Sequence, residues 1–283
     1  IVSGGGSGHL PVFTGYVGKG MLDACAVGSV FASPSVDQIT STIRNGNNGS
    51  GVLCVLGNYG GDVMNFEMAC EIVKSEGIET KMIIVSDDIA SASNEDKLKR
   101  RGIAGLIFAF KIAGASSENG ASLEEVYDLT LKANNNLRTI GVAVSSCILP
   151  EVGKPTFELE NDEIEIGMGI HGEPGIKREK LRKADLLVDD LCKIIFEDFE
   201  LSNSDKVSIM INSLGATPLE ELYIVSKIVN EIFSKKDIEI VKSYVGRYAT
   251  SLEMAGMSIS VLKLDDDLKK ALLVHSECPF WIN

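Results

Sequence analysis

Two histidines stand in glycine-rich runs of a chain that has only three histidines in 283 residues. His171 lies in Gly-Met-Gly-Ile-His-Gly-Glu-Pro-Gly (167–175), and His9 lies in Ser-Gly-Gly-Gly-Ser-Gly-His-Leu-Pro (3–11). Glycines let a ligand approach the backbone and the imidazole closely. A neutral imidazole nitrogen is a nucleophile, and an acceptor on its other nitrogen orients the ring, so Glu173 is a candidate orienting partner. These residue types predict a polar small-molecule pocket.

Carboxylates at two further places add to the candidate chemistry. Asp62 ends the run Gly-Asn-Tyr-Gly-Gly-Asp (57–62), which follows a strand-like segment and precedes a helix-like one. Ligands commonly bind at the carboxyl ends of parallel strands, although Asp62 is an equally good N-cap for that helix. Asp87 and Asp88 follow the next strand, where turn chemistry is favoured over a metal site. The alternative for His9 is a turn-facing ring with a local hydrogen bond.

Several familiar sites do not match the sequence. The glycines of residues 4–8 fit neither GxGxxG nor GxxxxGK[ST], which favours a backbone nest for a small oxygenated ligand over a nucleotide P-loop. There is no GxSxG elbow and no HExxH motif. The six cysteines lack metal-type spacing, so we expect reduced, buried thiols in a cytoplasmic protein. The basic run 97–101 is expected to be a solvated helix end.

Composition narrows the class of partner. The chain carries a formal net charge of −13, which argues against binding to nucleic acid and to anionic membrane surfaces. No apolar run approaches the ~20 residues of a membrane span. Its 45% hydrophobic and 24% charged residues are typical of a globular protein with a sizeable core. Ile1 and Val2 read as the end of a strand, so we expect that residues precede them in the natural protein.

Strand-like and helix-like segments alternate in the first half of the chain. Apolar strand-like segments occur at 51–56, 81–85, 103–110 and 139–145, and helical spacing occurs at 63–77. Gly77 is expected to end that helix, and Ser122 with Glu125 forms a capping box that opens another. The alternation predicts an α/β fold with mostly parallel sheets and helices on both faces.

The second half is more mixed. Strands are expected at 206–212, 238–244 and 257–264, and Thr217-Pro218 should cap and open a helix that runs to about 234. We place a domain change after the triplet Asn134-Asn135-Asn136. The sequence therefore predicts two α/β domains, at 1–137 and 138–283.

A series of longer motifs extends over the whole chain. In order they are SGGGSGH (3–9), GYVGKGML (15–22), FASPS (31–35), NYGGDVMNFE (58–67), KRRGIAG (99–105), KIAGA (111–115), GKPTFEL (153–159), GMGIHGEPGI (167–176), LGATPLEELY (214–223) and TSLEMAGMSISVLKLDD (250–266). This series resembles the dihydroxyacetone kinase K subunit (DhaK) family from residue 2 onward. Members of that family carry a further N-terminal segment.

The resemblance implies a specific chemistry. It implies a homodimer of two-domain chains, each binding a short-chain ketose between its domains, with His171 attacking the ketone carbonyl to form a hemiaminal. The loop Gly6, Ser7, Gly8 and His9 would wrap the substrate, and His9 and Asp62 would be the acid–base groups. The resemblance further implies that this chain holds no metal or cofactor, because ATP-Mg or ADP-Mg binds to a separate nucleotide-binding L-type subunit or domain.

Two departures from the family pattern bear on the substrate. Leu10 replaces the usual glutamate after GSGH, and Gly57 replaces the usual lysine before NYxGD. These changes resemble the branch that acts on four-carbon ketoses such as erythrulose. The alternative is a non-catalytic ketone sensor that co-activates a transcriptional regulator, but the presence of both His9 and Asp62 favours the kinase. A nucleotide-binding oxidoreductase is disfavoured, since no ribose-binding signature follows the first glycine loop.

Overall fold

The computed structural model describes residues 1–282, which form two compact units. Unit 1 comprises Ile1–Ser86, Leu106–Asn135 and the residues from Asp266 onward, and unit 2 comprises Asp87–Gly105 and Asn136–Asp265. The chain passes between the units at four points, and one of them, after Asn135, lies two residues before the expected boundary at 137. Two segments lie in the other unit from the one expected: Asp87–Gly105 belongs to unit 2, and the residues from Asp266 onward belong to unit 1. Contacts between residues distant in sequence place them there.

The structure consists of short strands and helices in alternation, and the α/β class is confirmed. The strands are β1 (Val2–Ser7), β2 (Ala24–Val30), β3 (Val52–Gly57), β4 (Thr80–Val85), β5 (Leu137–Ala143), β6 (Ile148–Leu149), β7 (Lys154–Pro155), β8 (Glu163–Ile166), β9 (Lys177–Lys180), β10 (Lys206–Ser213), β11 (Glu239–Gly246), β12 (Gly256–Leu264), β13 (Glu277–Cys278) and β14 (Trp281–Ile282). The helices are α1 (Val36–Gly46), α2 (Gly60–Ser75), α3 (Leu106–Glu118), α4 (Leu123–Asn135), α5 (Ala184–Asp198), α6 (Leu219–Lys235) and α7 (Asp266–Leu273). None of the helices in residues 1–282 combines the length and the apolar character that a membrane span requires.

Unit 1 is built on a four-stranded parallel sheet with strand order β2-β1-β3-β4. The apolar side chains of these strands pack with those of α1 and α2 in one buried cluster that includes Val2, Cys54 and Phe66. Because all four strands run the same way, the carboxyl ends of β1 and β3 lie at one edge of the sheet. That edge carries the Gly6–His9 loop and the loop that leads to Asp62.

Unit 2 is built on a six-stranded mixed sheet with strand order β11-β10-β12-β5-β8-β9. Strands β10 and β11 pair in parallel, and the other neighbouring strands pair antiparallel. Apolar residues of the sheet, α5 and α6 form its core. The β8–β9 hairpin forms one edge, and the loop that joins its two strands contains His171.

The segment expected as a strand at 103–110 is instead the start of helix α3, so this prediction is wrong. Every residue from Leu106 to Ala115 is buried. A helix that is apolar on all sides shows no 3.6-residue alternation, and a short apolar run then reads equally well as a buried strand.

The predicted capping box and the predicted terminal glycine are present at two helices, but the predicted cap of a third helix is absent. The Ser122–Glu125 capping box is confirmed, with the Ser122 N–H donating to Glu125 Oε2 at 2.8 Å. Gly77 follows the end of α2 with φ +86°, a left-handed conformation that glycine adopts without steric cost. Helix α6 begins at Leu219, one residue later than expected, because the Thr217 hydroxyl accepts the Gly256 N–H at 2.8 Å instead of capping the helix.

Candidate active site

The loop of His171 is closed on itself and on the sheet of unit 2. At its start, the Gly167 N–H donates to the Gly141 carbonyl at 2.7 Å, and at its end the Ile176 N–H donates to the Ile166 carbonyl at 2.8 Å. Inside the loop, the Gly172 N–H donates to the Gly169 carbonyl at 3.0 Å. These bonds fix the backbone on both sides of the imidazole.

Glu173 is the orienting partner of His171 that the sequence analysis anticipated. Its Oε1 lies 3.0 Å from the ring Nδ1, and its Oε2 accepts the backbone N–H of His171 at 2.9 Å. A carboxylate only accepts hydrogen bonds, so the proton of the neutral ring resides on Nδ1 and the lone pair on Nε2. About a fifth of the His171 side chain is exposed, at 22%. The geometry therefore presents Nε2 as a neutral nucleophile.

The electrostatics of the pair keep Glu173 ionised. Burial raises the pKa of the Glu173 carboxyl, but the hydrogen bond from His171, the positive charge that the ring carries when it is protonated, and the backbone N–H groups lower the pKa by more, to about 2. A persistent carboxylate beside Nδ1 stabilises positive charge that develops on the ring when Nε2 attacks an electrophile. The pair can therefore promote nucleophilic addition by the imidazole.

Arg101 and Gly169 support this arrangement. The sequence indicates Gly169 as a residue that leaves space around His171, but it assigns no role to Arg101. The Arg101 Nη2 donates to the Gly167 carbonyl at 2.9 Å, while its Nε donates to Asp88 Oδ2 at 2.8 Å. A Cβ on Gly169 would lie 2.1 Å from Oε2 of Glu173, so only glycine lets that carboxylate fold back onto the loop. The motif KRRGIAG was visible in the sequence, but its contact with a loop 66 residues away was not.

His9 and its loop belong to unit 1. Residues Val2–Ser7 form strand β1, so the glycines at 4–6 are extended and do not form a phosphate-binding loop at the start of a helix. His9 follows two residues later, is 97% buried, and stacks on Phe31 with ring centroids 4.8 Å apart and planes 15° apart. The contact with Phe31, which the sequence did not indicate, fixes the plane of the imidazole.

Asp62 also belongs to unit 1, where it is the third residue of α2 rather than its cap. Helix α2 begins at Gly60 with Tyr59 as the N-cap, so the predicted capping role is wrong. The Asp62 side chain is buried, and a Cβ on Gly5 would lie 3.4 Å from its Oδ2. Its carboxylate thus lies against the glycine strand β1 near the positive end of the α2 dipole, which favours an anion.

Asp87 and Asp88 have structural roles in unit 2; Asp88 makes a local turn contact, as predicted, whereas Asp87 accepts from residues 16 and 18 positions away. Asp87 accepts hydrogen bonds from the N–H groups of Ile103 and Gly105, each at 2.8 Å. These bonds link the two ends of the segment Asp87–Gly105. Asp88 pairs with Arg101 and accepts the Ala90 N–H at 3.1 Å. Within residues 1–282 no group of three or more His, Cys, Asp or Glu side chains is arranged to hold a metal ion.

The basic run 97–101 is solvated only in its first part, so the prediction is wrong for its two arginines. Lys97 and Lys99 are exposed, but Arg100 is 1% exposed and forms a two-point ion pair with Asp198 of α5. Arg138 of β5 contacts the same carboxylate, with Nε 2.6 Å from Oδ2. Asp198 therefore joins two buried guanidinium groups inside unit 2.

A protein-family model covers almost the whole chain. The Dak1 domain model matches residues 1–280. The chain belongs to the Dak1 family. Its sequence is 48% identical, over 94% of this chain and 81% of the relative, to the dihydroxyacetone-binding subunit DhaK of the PTS-dependent dihydroxyacetone kinase 1 of Listeria innocua serovar 6a. It is also 40% identical to an L-erythrulose 1-kinase of Mycolicibacterium smegmatis, over 99% of this chain and about half (50%) of that enzyme.

Solved structures agree with this assignment. The Dak1 domain described here superposes on the dihydroxyacetone kinase operon co-activator Dha-DhaQ with a TM-score of 0.93 at 32% identity, covering 100% of this chain and 87% of that one. It superposes on the dihydroxyacetone kinase of C. freundii in complex with AMP-PNP and Mg²⁺ with a TM-score of 0.92 at 35% identity, covering 99% of this chain and 51% of that one. A kinase and an operon co-activator therefore share this fold.

The expected site residues fall in two groups in this Dak1 domain. His171 and Glu173 lie in one hairpin loop of unit 2, where they contact each other. His9 and Asp62 lie at the carboxyl ends of two neighbouring parallel strands of unit 1. The candidate nucleophile and the acid–base candidates thus lie in different units.

Proposed function

We propose that this Dak1 domain is the ketose-binding part of a dihydroxyacetone-type kinase, a phosphotransferase with an alcohol acceptor. In this proposal it holds a short-chain ketose as a hemiaminal on His171 while the terminal hydroxyl receives a phosphoryl group. The observation that carries the proposal is the contact of His171 Nδ1 with the Glu173 carboxylate, because it directs the lone pair of Nε2 outward from the pair. The names of the kinase relatives support the same reaction class.

The chemistry of the covalent step follows from this pair. The Nε2 lone pair forms a bond to the carbonyl carbon, and the π electrons of the C=O bond move to the oxygen, which takes up one proton. The positive charge left on the ring is balanced by Glu173, which stays ionised because its pKa is about 2. This step selects ketones over polyols of similar shape, since glycerol has no carbonyl carbon to attack.

His9 and Asp62 are proposed as the acid–base groups that activate the terminal hydroxyl, and Gly6, Ser7 and Gly8 as the backbone that wraps the substrate. Asp62 is supported by its burial next to Gly5 and its place in the first turn of α2. His9 is supported by its burial and by the stacking that fixes its ring. General acid–base assistance of this kind contributes roughly 10²–10⁴-fold to rate.

We infer that the nucleotide, ATP-Mg or ADP-Mg, is held by a separate L-type subunit or domain. This inference is supported by β1, in which Gly4–Ser7 form an extended strand instead of a phosphate-binding loop. The fold relative that was solved with AMP-PNP and Mg²⁺ is about twice as long as the part that this chain matches. A cytoplasmic homodimer is proposed on the family resemblance, and light scattering of the purified protein measures its oligomeric state.

The ketose is proposed to be dihydroxyacetone or a four-carbon ketose such as erythrulose. Leu10 and Gly57 favour the larger substrate, because glycine at 57 leaves the space that a lysine would fill. Phosphorylation assays of this chain with an L-type subunit should show turnover of erythrulose at least equal to that of dihydroxyacetone. A strong preference for dihydroxyacetone over both erythrulose enantiomers would contradict the four-carbon assignment.

A second candidate function is a ketone-sensing co-activator, which the superposition on Dha-DhaQ favours. A sensor needs the hemiaminal histidine but has no use for acid–base groups. Phosphorylation of a bound ketose in the presence of an L-type subunit and nucleotide establishes the kinase. Ketose binding without turnover, under conditions in which a DhaK control is active, would instead support the sensor.

Native mass spectrometry of the ketose-treated protein tests the covalent step. A hemiaminal adds the whole mass of one ketose, whereas an imine on a lysine would lose one water. The adduct should be absent from His171→Ala and retained in His275→Ala, a matched control for an exposed histidine outside the motifs. An adduct that persists in His171→Ala would refute the assignment.

A further inference from the structure

Two cysteines lie side by side between the strand and the helix that flank the 57–62 loop. Cys54 is in β3 and Cys70 is in α2, and their sulfur atoms are 3.9 Å apart. Both thiols are free, and the Cys54 side chain is part of the buried cluster of unit 1, against which Cys70 packs. They are 16 residues apart in sequence, so a bond between them would close a loop that contains Asp62.

The two thiols differ in a way that suits a nucleophile and a resolving partner. Cys54 is fully buried, whereas Cys70 is partly exposed and can meet a small solute. The hydrogen bond from the Cys54 thiol lowers the pKa of Cys70, burial raises it, and the hydroxyl of Thr80 lowers it again, with a net value of about 7. The same pairing and its complete burial raise the pKa of Cys54 well above the usual value. Cys70 is therefore the thiolate of the pair, and thiolates are the reactive form.

We propose that Cys70 and Cys54 are an oxidation site that forms a reversible intramolecular disulfide with an oxidant of the peroxide class. In the first step the Cys70 thiolate attacks one peroxide oxygen, which gives a sulfenic acid and, after protonation, one water. In the second step the Cys54 sulfur attacks the Cys70 sulfur and displaces a second water. Two thiols are oxidised by two electrons in total, and hydrogen peroxide is reduced to two waters.

The geometry permits the second step with a small movement. A disulfide requires sulfur atoms about 2.05 Å apart, so the two atoms must approach by roughly 1.9 Å. Rotation of the two side chains and a slight shift of α2 toward β3 would have to supply a displacement of this size. The proposal depends on these two thiols alone and not on the ketose-kinase function.

Thiol mapping of the folded wild-type protein tests the proposal. The protein is titrated with hydrogen peroxide, blocked with N-ethylmaleimide in denaturant, digested without reductant and analysed by mass spectrometry. A peptide that links Cys54 to Cys70 should appear with peroxide and disappear with dithiothreitol. Cys25, Cys147, Cys192 and Cys278 should remain labelled by the maleimide.

Single variants identify the order of the two steps. In Cys54→Ser, dimedone should trap a sulfenic acid on Cys70, because no resolving thiol remains. In Cys70→Ser, Cys54 should stay a thiol, since it is buried, and Cys192→Ser, a control for a buried thiol elsewhere, should still form the linked peptide.

Two outcomes would overturn the proposal. One is dimedone labelling of Cys70 in the wild-type protein without the linked peptide, and the other is oxidation of Cys25 while Cys54 and Cys70 both remain thiols. Because the wild-type map decides the question, a core variant that fails to fold leaves the test intact.

Discussion

Glu173 holds His171 by both of its carboxylate oxygens, one on the ring Nδ1 at 3.0 Å and the other on the backbone N–H at 2.9 Å. Only Gly172 separates the two residues in sequence. The orientation and the tautomer of the proposed nucleophile are therefore set within one hairpin loop. A substitution at 173 should act on the reactivity of the ring while leaving the sheet of unit 2 intact.

Glu173→Gln should slow the formation of the ketose adduct by roughly 10- to 100-fold. An amide can still accept the Nδ1 proton, but it lacks the negative charge that stabilises the developing imidazolium, and a hydrogen bond to a charged group contributes about 1.5–3 kcal/mol. Time-resolved native mass spectrometry measures the rate. Glu151→Gln, on an exposed turn of the same unit, is the control. An unchanged rate in Glu173→Gln would show that the carboxylate only shapes the loop.

Asp62→Asn should leave the His171 adduct in place and reduce phosphorylation by roughly 10²–10⁴-fold, because the amide cannot take up the hydroxyl proton. Adduct mass and phosphoryl transfer with an L-type subunit are measured on the same samples. Asp37→Asn removes an exposed acid from the first turn of α1 and controls for the loss of a favourable helix-dipole contact. Loss of both adduct and turnover in Asp62→Asn would indicate a structural role for the buried carboxylate.

Asp198→Asn should destabilise the protein by about 3–5 kcal/mol, because it removes the carboxylate charge that the buried guanidinium groups of Arg100 and Arg138 both contact. Chemical denaturation followed by circular dichroism measures this loss. Asp189→Asn, which breaks an exposed pair with Lys193 on the same helix, should change the free energy of unfolding by no more than about 1 kcal/mol. Equal effects of the two substitutions would contradict the importance of burial.

Lys111 should make the stability of the protein depend on alkaline pH. It is fully buried in α3, its Nζ donates to the Ala271 carbonyl in the last turn of α7 at 3.0 Å, and burial lowers its pKa to about 8 from the usual 10.5. Between these values the unfolded chain binds a proton that the folded one does not, so the Lys111 contribution to stability rises with pH, at ~1.4 kcal/mol per unit. Unfolding of wild type and Lys111→Met from pH 7 to pH 10.5 measures the difference. A difference independent of pH would disprove the shift.

The parts of the site that sequence reasoning found are those set by local spacing. Glu173 is two residues from His171, so its carboxylate was within reach of the ring whatever the rest of the fold. The strands β3, β4 and β12 were likewise apparent from their own residues. The observed first residues of α2 and α6 differ from the predicted ones, because a helix cap depends on backbone angles that the spacing of residue types does not specify.

The parts that sequence reasoning missed depend on distant partners. Arg100 reads as a solvated residue beside two lysines, but it is buried in an ion pair with Asp198, which lies 98 residues further on. Phe31 and His9 meet because β1 and β2 are neighbours in the sheet, which no local pattern reveals. The sequence of helix α3 reads as a strand because its burial on all sides removes the periodicity that distinguishes a helix from a strand.

The four passages of the chain between its units set an order of assembly during synthesis. Helix α7 packs on α3 in unit 1, yet it is made about 180 residues after Ser86, where the first segment of that unit ends. At roughly 5–20 residues per second, the partial core of unit 1 waits on the order of 10–40 seconds on the ribosome for its last helix. Unit 2 is completed before α7, so the nascent chain leaves the α7-binding face of α3 uncovered from the synthesis of α3 until that of α7.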